Sequence, residues 1–250
     1  MFDEMNIFKS LGDIIYPPRC LICEAFLRPY LREKGDMVSL CPSCRADFVE
    51  ISSPLCPICY TPFASEIKED HPCEDCLRKR PFYEAVAAPF LYDGTLMDAI
   101  HQLKYGKKSH LADSLGPLLA GFAEDWVKKS HDLVTVPVPL HPKRLRQRGF
   151  NQGLLLARHV AGRLDTELDF LSLRRTRHTA PQTGLGKKER QKNVRGAFVV
   201  TDPEAMKGKT VLLVDDVATT GNTLNECAKV LKKSGCEKVF CLVLARAAIL

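Results

Sequence analysis

Val211-Leu212-Leu213-Val214-Asp215-Asp216-Val217-Ala218-Thr219-Thr220-Gly221-Asn222-Thr223-Leu224 is the stretch whose reading decides the fold. Its four leading apolar residues predict a short buried strand with two carboxylates at its end. A loop of small hydroxyl residues with one glycine then leads into a helix, for which Thr223 would serve as an N-cap. This is the chemistry of a sugar-phosphate site. Amides and hydroxyls from Ala218, Thr219, Thr220, Gly221, Asn222 and Thr223 can wrap a phosphate at a helix N-terminus, where N–H groups point outward. Asp215 and Asp216 can accept hydrogen bonds from two neighbouring ribose hydroxyls.

Outward from this stretch, alternation of strands and helices predicts a mostly parallel α/β sheet. Strands are expected over 85–92, 133–138, 170–173, 197–200, 211–214 and 239–245. Helices are expected over 95–105, 111–128, 152–164 and 223–234, the third with Leu155, Leu156, His159 and Val160 inward. Ligands of such sheets bind at strand C-termini, where the paired carboxylates fall. Residues 1–18 read as a short amphipathic lead-in ended by Pro17-Pro18.

The 250 residues, 45% hydrophobic, suit one ordinary domain and a small appendage. The expected partition is a head over 1–80 and an α/β unit over 81–250. No run reaches the ~18 apolar residues of a membrane span. The chain opens Met1-Phe2-Asp3-Glu4, with acids where a secretory signal carries bases, so membrane insertion is not expected and a cytoplasmic location is. The net charge of +6 is unevenly spread: residues 1–80 hold 10 Lys+Arg against 13 Asp+Glu, and residues 141–195 hold 14 against 4. So concentrated a basic segment implies an anionic partner.

Eight of the 11 cysteines form four Cys-x-x-Cys pairs: Cys20/Cys23, Cys41/Cys44, Cys56/Cys59 and Cys73/Cys76. Two such knuckles bind one tetrahedral Zn²⁺, because the two-residue spacer turns both sulfurs to one side. Four pairs therefore predict two closed, structural zinc sites. Sequential ribbons would join the first pair to the second and the third to the fourth; a cross-brace would join the first to the third. Pro42, Pro57 and Pro72 punctuate the knuckles as ribbon turns would, which favours the sequential pairing. Cys227, Cys236 and Cys241 read as small core residues.

Two basic segments complete the pattern. Residues 139–152 follow a buried strand and precede a helix, and carry Lys143, Arg144, Arg146 and Arg148. Residues 176–193 form a long, basic, glycine-containing segment, expected to act as a flap over a charged substrate.

The first-quoted stretch resembles the phosphoribosyl-pyrophosphate (PRPP) motif of type I phosphoribosyltransferases. The whole chain resembles the ComF family, phosphoribosyltransferase-like proteins with an N-terminal double zinc ribbon. The resemblance is carried by the four knuckles, by Ile100-His101-Gln102-Leu103-Lys104-Tyr105, and by Val136-Pro137-Val138-Pro139-Leu140 with Arg148-Gly149-Phe150-Asn151-Gln152. Thr179-Ala180-Pro181-Gln182, Arg190-Gln191-Lys192-Asn193 and the Asp-Asp motif complete it. It implies a type I phosphoribosyltransferase fold and a Mg²⁺-PRPP ligand. Lys143, Arg144 and Arg148 would then neutralise pyrophosphate, while Lys188 and Arg190 would close from the flap as catalytic cations. It also implies an association with competence and DNA uptake, and names no acceptor. A second reading, a non-catalytic PRPP or nucleotide sensor or a single-stranded DNA handler, suits the basic segment. Phe150 and Phe170 are the only aromatic residues there, which supplies a stacking platform poorly.

Overall fold

The computed structural model describes residues 17–27, 40–63, 68–128, 130–179 and 187–248, the side chains of 187, 188, 190 and 191 apart. The helix expected before Pro17 lies outside the described residues. Five strands form one parallel row in the order β1-β8-β7-β3-β4: β1 (Ala85–Ala87), β8 (Lys238–Arg246), β7 (Thr210–Ala218), β3 (Leu133–Pro137) and β4 (Glu167–Leu168). A further strand, β2 (Phe90–Leu91), also pairs with β8. The single strand expected over 85–92 is thus two, separated at Ala88-Pro89, because proline has no N–H to continue a ladder.

Alternate residues of β7 serve opposite faces, as a strand's period of two requires. Leu212 and Val214 join one core with helices α3 (Gly94–Tyr105), α4 (Leu111–Trp126) and α6 (Gln152–Leu164). Val211 and Leu213 join the other with helix α9 (Asn222–Lys233), which buries Leu224, Cys227, Ala228 and Leu231. Burial of both faces explains why β7 and β8 read as near-continuous apolar runs. Cys227, Cys236 and Cys241 are core residues, as expected. In α6 the inward face is Leu156, Ala157, Val160, Ala161 and Leu164, while Leu155 and His159 are only half-buried.

Several boundaries differ from the sequence reading. The strand expected over 170–173 is β5 (Leu173–Arg175), which pairs antiparallel with β6 (Phe198–Val200) apart from the main sheet. Short helices α7 (Lys187–Val194) and α8 (Pro203–Met206) flank β6. β7 does not stop at Val214 but continues through both carboxylates to Ala218. Its neighbour β8 is nine residues long and stays in register, Asp215 facing Val243 and Ala218 facing Arg246. The basic loop after β3 contains a helix, α5 (Pro142–Arg148). Pro142 stands in its first turn, His141 caps Lys143 N, and Gly149 ends it in the left-handed region at φ 86°. It buries no residue, so it leaves no apolar period to read.

The cysteine-rich head is bonded to this scaffold. Short helices α1 (Pro42–Ala46) and α2 (Glu74–Arg78) each carry a ligand-spaced cysteine, Cys44 and Cys76. Between them, Val49 O accepts from Leu91 N and Ile51 N donates to Pro89 O, which ties the chain to β2. Cys20, Cys41 and Cys44 pack into the core on one sheet face, and Cys56, Cys59 and Cys76 into the core on the other. No helix among the described residues is long and apolar enough to cross a membrane.

The α4–α6 contact rests on a glycine. A Cβ at Gly116 would lie 2.2 Å from His159 Cδ2 and 3.0 Å from its Cβ. Gly116→Ala should therefore destabilise the chain by ~1–3 kcal/mol through overpacking, although alanine favours a helix by ~1 kcal/mol. Chemical denaturation should show that loss, and adding His159→Ala should recover part of it.

Candidate functional site

Strand order reverses between β3 and β7: from β3 the chain turns through α6 to β4 on one side, and from β7 through α9 to β8 on the other. Loops leaving these two strands diverge, and ligand sites of open α/β sheets lie at such a point. A cavity of about 450 Å³ opens there. Asp215 to Leu224 line one side, Val138, Leu140, Arg144, Arg148 and Gln152 another, and Met97, His101, Lys104 and Tyr105 of α3 a third.

Gly221 allows the turn from β7 into α9. It holds φ at 71°, and a Cβ there would come within 3.2 Å of the Tyr83 hydroxyl. Gly221, not Thr223, is the N-cap, and it supplies no side-chain hydrogen bond to the first amides of α9. Thr223 lies inside the first turn. Ala218, Thr219, Thr220, Gly221, Asn222 and Thr223, the expected phosphate loop, all line the cavity.

Asp215 and Asp216 are both buried, and Asp215 Oδ1 accepts from the Asp216 N–H at 2.9 Å. Burial, then the adjacent Asp216 charge, pushes the Asp215 carboxyl well above the usual carboxylate range. Asp216 has a cation the sequence reading did not assign: Lys104 Nζ of α3 lies 2.7 Å from its Oδ2. Burial alone would lower the Lys104 ammonium; the charge and hydrogen bond of Asp216, with Asp215 behind, outweigh it and hold Lys104 above its ordinary value.

Arg144 and Arg148 are four apart on α5, hence on one helix face, and both line the cavity. Lys143 and Arg146 are exposed and are not among the lining residues. Arg148 also sits over the Tyr105 ring, 5.3 Å from its centroid. Lys188 and Arg190 fall on the backbone of α7, with their side chains outside the description; the expected flap over 176–193 thus contains a helix.

Arg175 of β5 joins the cavity and was missed in the sequence. The β5 alternation buries Leu173 and Arg175 and exposes Arg174, a signal legible only once the strand's bounds are known. Arg175 donates to Thr179 Oγ1 at 2.5 Å, while its buried Nε has no hydrogen-bond partner among the described residues. Burial, then the Arg144 charge, lowers its affinity for the proton. Lys104, Arg144, Arg148 and Arg175 thus face two carboxylates across one cavity. An anion between the arginines would relieve their repulsion and satisfy the unpaired nitrogen.

The eight knuckle cysteines gather as Cys20, Cys23, Cys41, Cys44 and as Cys56, Cys59, Cys73, Cys76, the sequential pairing. Their sulfurs lie within 4.8 Å of one another, and Cys23–Cys41 and Cys59–Cys73 are both 3.7 Å apart. Tetrahedral Zn–S bonds of ~2.3 Å place sulfurs ~3.8 Å apart, whereas a disulfide needs ~2.05 Å. Backbone N–H groups of Cys41 and Cys73 donate to Cys20 and Cys56 sulfurs at 3.3 Å. Burial opposes ionisation of Cys20 and Cys59, yet hydrogen bonds bring both thiols down to about 7, with Thr61 and Arg246 assisting Cys59. Burial and the neighbouring sulfurs push Cys44 and Cys76 far up. Four thiolates in such proximity need a cation, and the donor set fits Zn²⁺.

The fold and cavity define a phosphoribosyltransferase-type α/β unit carrying a double zinc ribbon. Residues 151–249 match the phosphoribosyl transferase domain and residues 11–77 the double zinc ribbon domain. The chain is 32% identical over 236 residues to competence protein F of Haemophilus influenzae, covering 92% of this chain and 97% of that one. It is 34% identical over 195 residues to DNA utilization protein YhgH of Escherichia coli, covering 75% and 83%. It is 29% identical over 240 residues to competence protein ComFC of Streptococcus pneumoniae, covering 90% and 99%. The chain belongs to this ComF family. A purine phosphoribosyltransferase from Pyrococcus horikoshii aligns with 57% of this chain and 75% of its own at 20% identity, with a TM-score of 0.32.

Metal analysis of reduced protein should find about two Zn²⁺ per chain, one per four-cysteine set. That content should fall on acidification, because protons compete for the thiolates; a content near zero at neutral pH would contradict the assignment. Asp215→Asn should stabilise the fold at neutral pH. A carboxyl whose folded pKa is raised favours folding below its unfolded pKa and progressively less as pH rises above it. The amide carries no such penalty, so Tm should rise by ~2–4 °C near pH 7, on the order of 1 kcal/mol, and the gain should vanish toward pH 4.

Proposed function

We propose that the cavity binds Mg²⁺-PRPP and that the 81–250 unit transfers its phosphoribosyl group to an acceptor nitrogen, releasing pyrophosphate. One observation carries this reading. A buried carboxylate pair stands between a glycine-led helix N-terminus and three arginines, within a single cavity. The N-terminus of α9 and the Thr219–Thr223 hydroxyls suit the 5-phosphate. Asp215 and Asp216 suit the two ribose hydroxyls, and Arg144, Arg148 and Arg175 suit the pyrophosphate, by forked hydrogen bonds. Lys104 adds positive charge beside the sugar.

In the reaction the acceptor nitrogen attacks the anomeric carbon, and pyrophosphate leaves with the electrons of the broken C–O bond. Positive charge grows on the sugar and negative charge on the leaving group. Fixed cations around the latter stabilise that separation without reorganising, and this would supply most of the rate. Mg²⁺ would enter with the ligand and be held largely by its oxygens. Lys188 and Arg190 would approach from α7 as the leaving charge develops. The relatives' names, competence protein and DNA utilization protein, support a setting in DNA handling, and single-stranded DNA is the competing ligand to test.

Replacing both Asp215 and Asp216 by alanine should abolish PRPP binding in calorimetry while circular dichroism stays unchanged. Each lost carboxylate leaves ribose hydroxyls unpaired, a loss of ~1–3 kcal/mol. Wild-type affinity in this double variant would overturn the site. Lys188→Ala should slow pyrophosphate release with little change in PRPP affinity, because its contact strengthens only toward the transition state. PRPP should displace single-stranded DNA if both use Arg144 and Arg148. DNA binding that PRPP leaves intact, with no pyrophosphate formed from any purine, pyrimidine or amine acceptor, would favour the DNA-handling reading.

A further inference from the structure

Arg246 closes β8 with its side chain buried, 2% exposed. Its guanidinium reaches in two directions. Toward the second cysteine cluster, Nε donates to Cys59 O at 2.8 Å and Nη2 to Thr61 Oγ1 at 2.8 Å. Having accepted from Arg246, the Thr61 hydroxyl has its proton left to give to Cys59 Sγ, 3.1 Å away. Toward the cavity, Nη1 donates to Ala218 O at 2.8 Å and also to Thr219 O. The first cluster reaches α3 and the turn after it instead, with Gln102 Nε2 donating to Ile22 O at 3.4 Å and Lys108 Nζ to Leu21 O at 3.1 Å.

The two carbonyls matter because a trans peptide plane points its C=O and its N–H in opposite directions. Arg246 holds the carbonyls of Ala218 and Thr219, so the N–H groups of Thr219 and Thr220 are turned away from it. Both residues line the cavity. A thiolate ligand, one hydroxyl and one guanidinium therefore connect the metal-binding knuckle to the peptides at the start of the phosphate loop. Arg246 and Cys59 are 187 residues apart in the chain.

We infer that Arg246 is a positioning residue through which the Cys56–Cys59–Cys73–Cys76 cluster sets the shape of the phosphate-binding loop. The second zinc ribbon is then a working part of the ligand site as well as a cap on the sheet. Order in its knuckle is transmitted through Thr61 and Arg246 to the amides that receive the phosphate. The inference rests on the reading of Thr219–Thr223 as a phosphate cradle, but its test does not depend on PRPP alone.

The test uses the full-length chain with Arg246→Lys, Thr61→Val and Thr61→Ser. Hydrogen exchange is read at residues 217–223 and at 211–214, with metal content and PRPP affinity measured on the same samples. Arg246→Lys keeps the charge but not the fork, and Thr61→Val keeps the shape but not the hydroxyl. Both should retain wild-type metal content and slow exchange over 211–214, speed exchange over 217–223 about tenfold, and weaken PRPP about tenfold. Thr61→Ser should restore wild-type behaviour. Unchanged loop exchange in both variants would overturn the inference. So would loosening of strand and loop together, which marks a residue serving the fold alone. If the wild-type chain fails to bind PRPP, the proposed function fails, and loop exchange still decides the role of Arg246.

Discussion

Proline cannot donate a ladder hydrogen bond, and the cavity opens where β3 ends in prolines. Pro137 is its last residue, opposite Val214, and Pro139 follows two positions later. Val138 N still reaches Val214 O at 2.8 Å, after which the chain turns away into α5. β7 runs on beside β8 alone, so Asp215 to Ala218 emerge with a partner on one side and a crevice on the other. Helix α5, the turn at Gly221 and the wall of α3 are arranged around that opening.

Electrostatics within the crevice are tense. Two carboxylates stand adjacent and buried, one paired with Lys104 and the other pushed toward its neutral form. Opposite them, burial and the Arg144 charge lower the affinity of Arg175 for its proton, and its buried Nε has no hydrogen-bond partner among the described residues. Groups held this way are costly to fold, and they persist where the surrounding packing over-determines them. Here two apolar layers on either face of β7 supply that packing. A polyanionic sugar phosphate has both the hydroxyls and the charge to relieve each half of the site.

The cysteine clusters solve a different problem. So short a head cannot bury a core large enough to fold independently without a metal or another brace. Here each cluster also joins a larger core, one on each face of the sheet, and the stretch between them adds to the edge at β2. The head and the α/β unit are therefore energetically connected. Among the described residues Arg246 is a direct link, because its fork spans the Cys59 carbonyl of a knuckle and the Ala218 and Thr219 carbonyls at once.

By itself the sequence determined what short-range patterns encode. The apolar run before Asp215-Asp216, the bounds of α6 at Gln152–Leu164 and the two-residue knuckle spacing all depend on neighbours within a turn or a strand. The tertiary structure decided the rest. β7 continues through its carboxylates only because β8 lies beside it, and Arg144 and Arg148 line the cavity while Lys143 does not because α5 winds where no apolar period announces a helix. Lys104 and Arg175 enter the site from α3 and β5, Arg246 of the last strand holds the carbonyls of Ala218 and Thr219 beside it, and no local pattern distinguishes the three from solvated cations. A buried charge is defined by the partners that surround it, and for these three the partners come from distant parts of the chain.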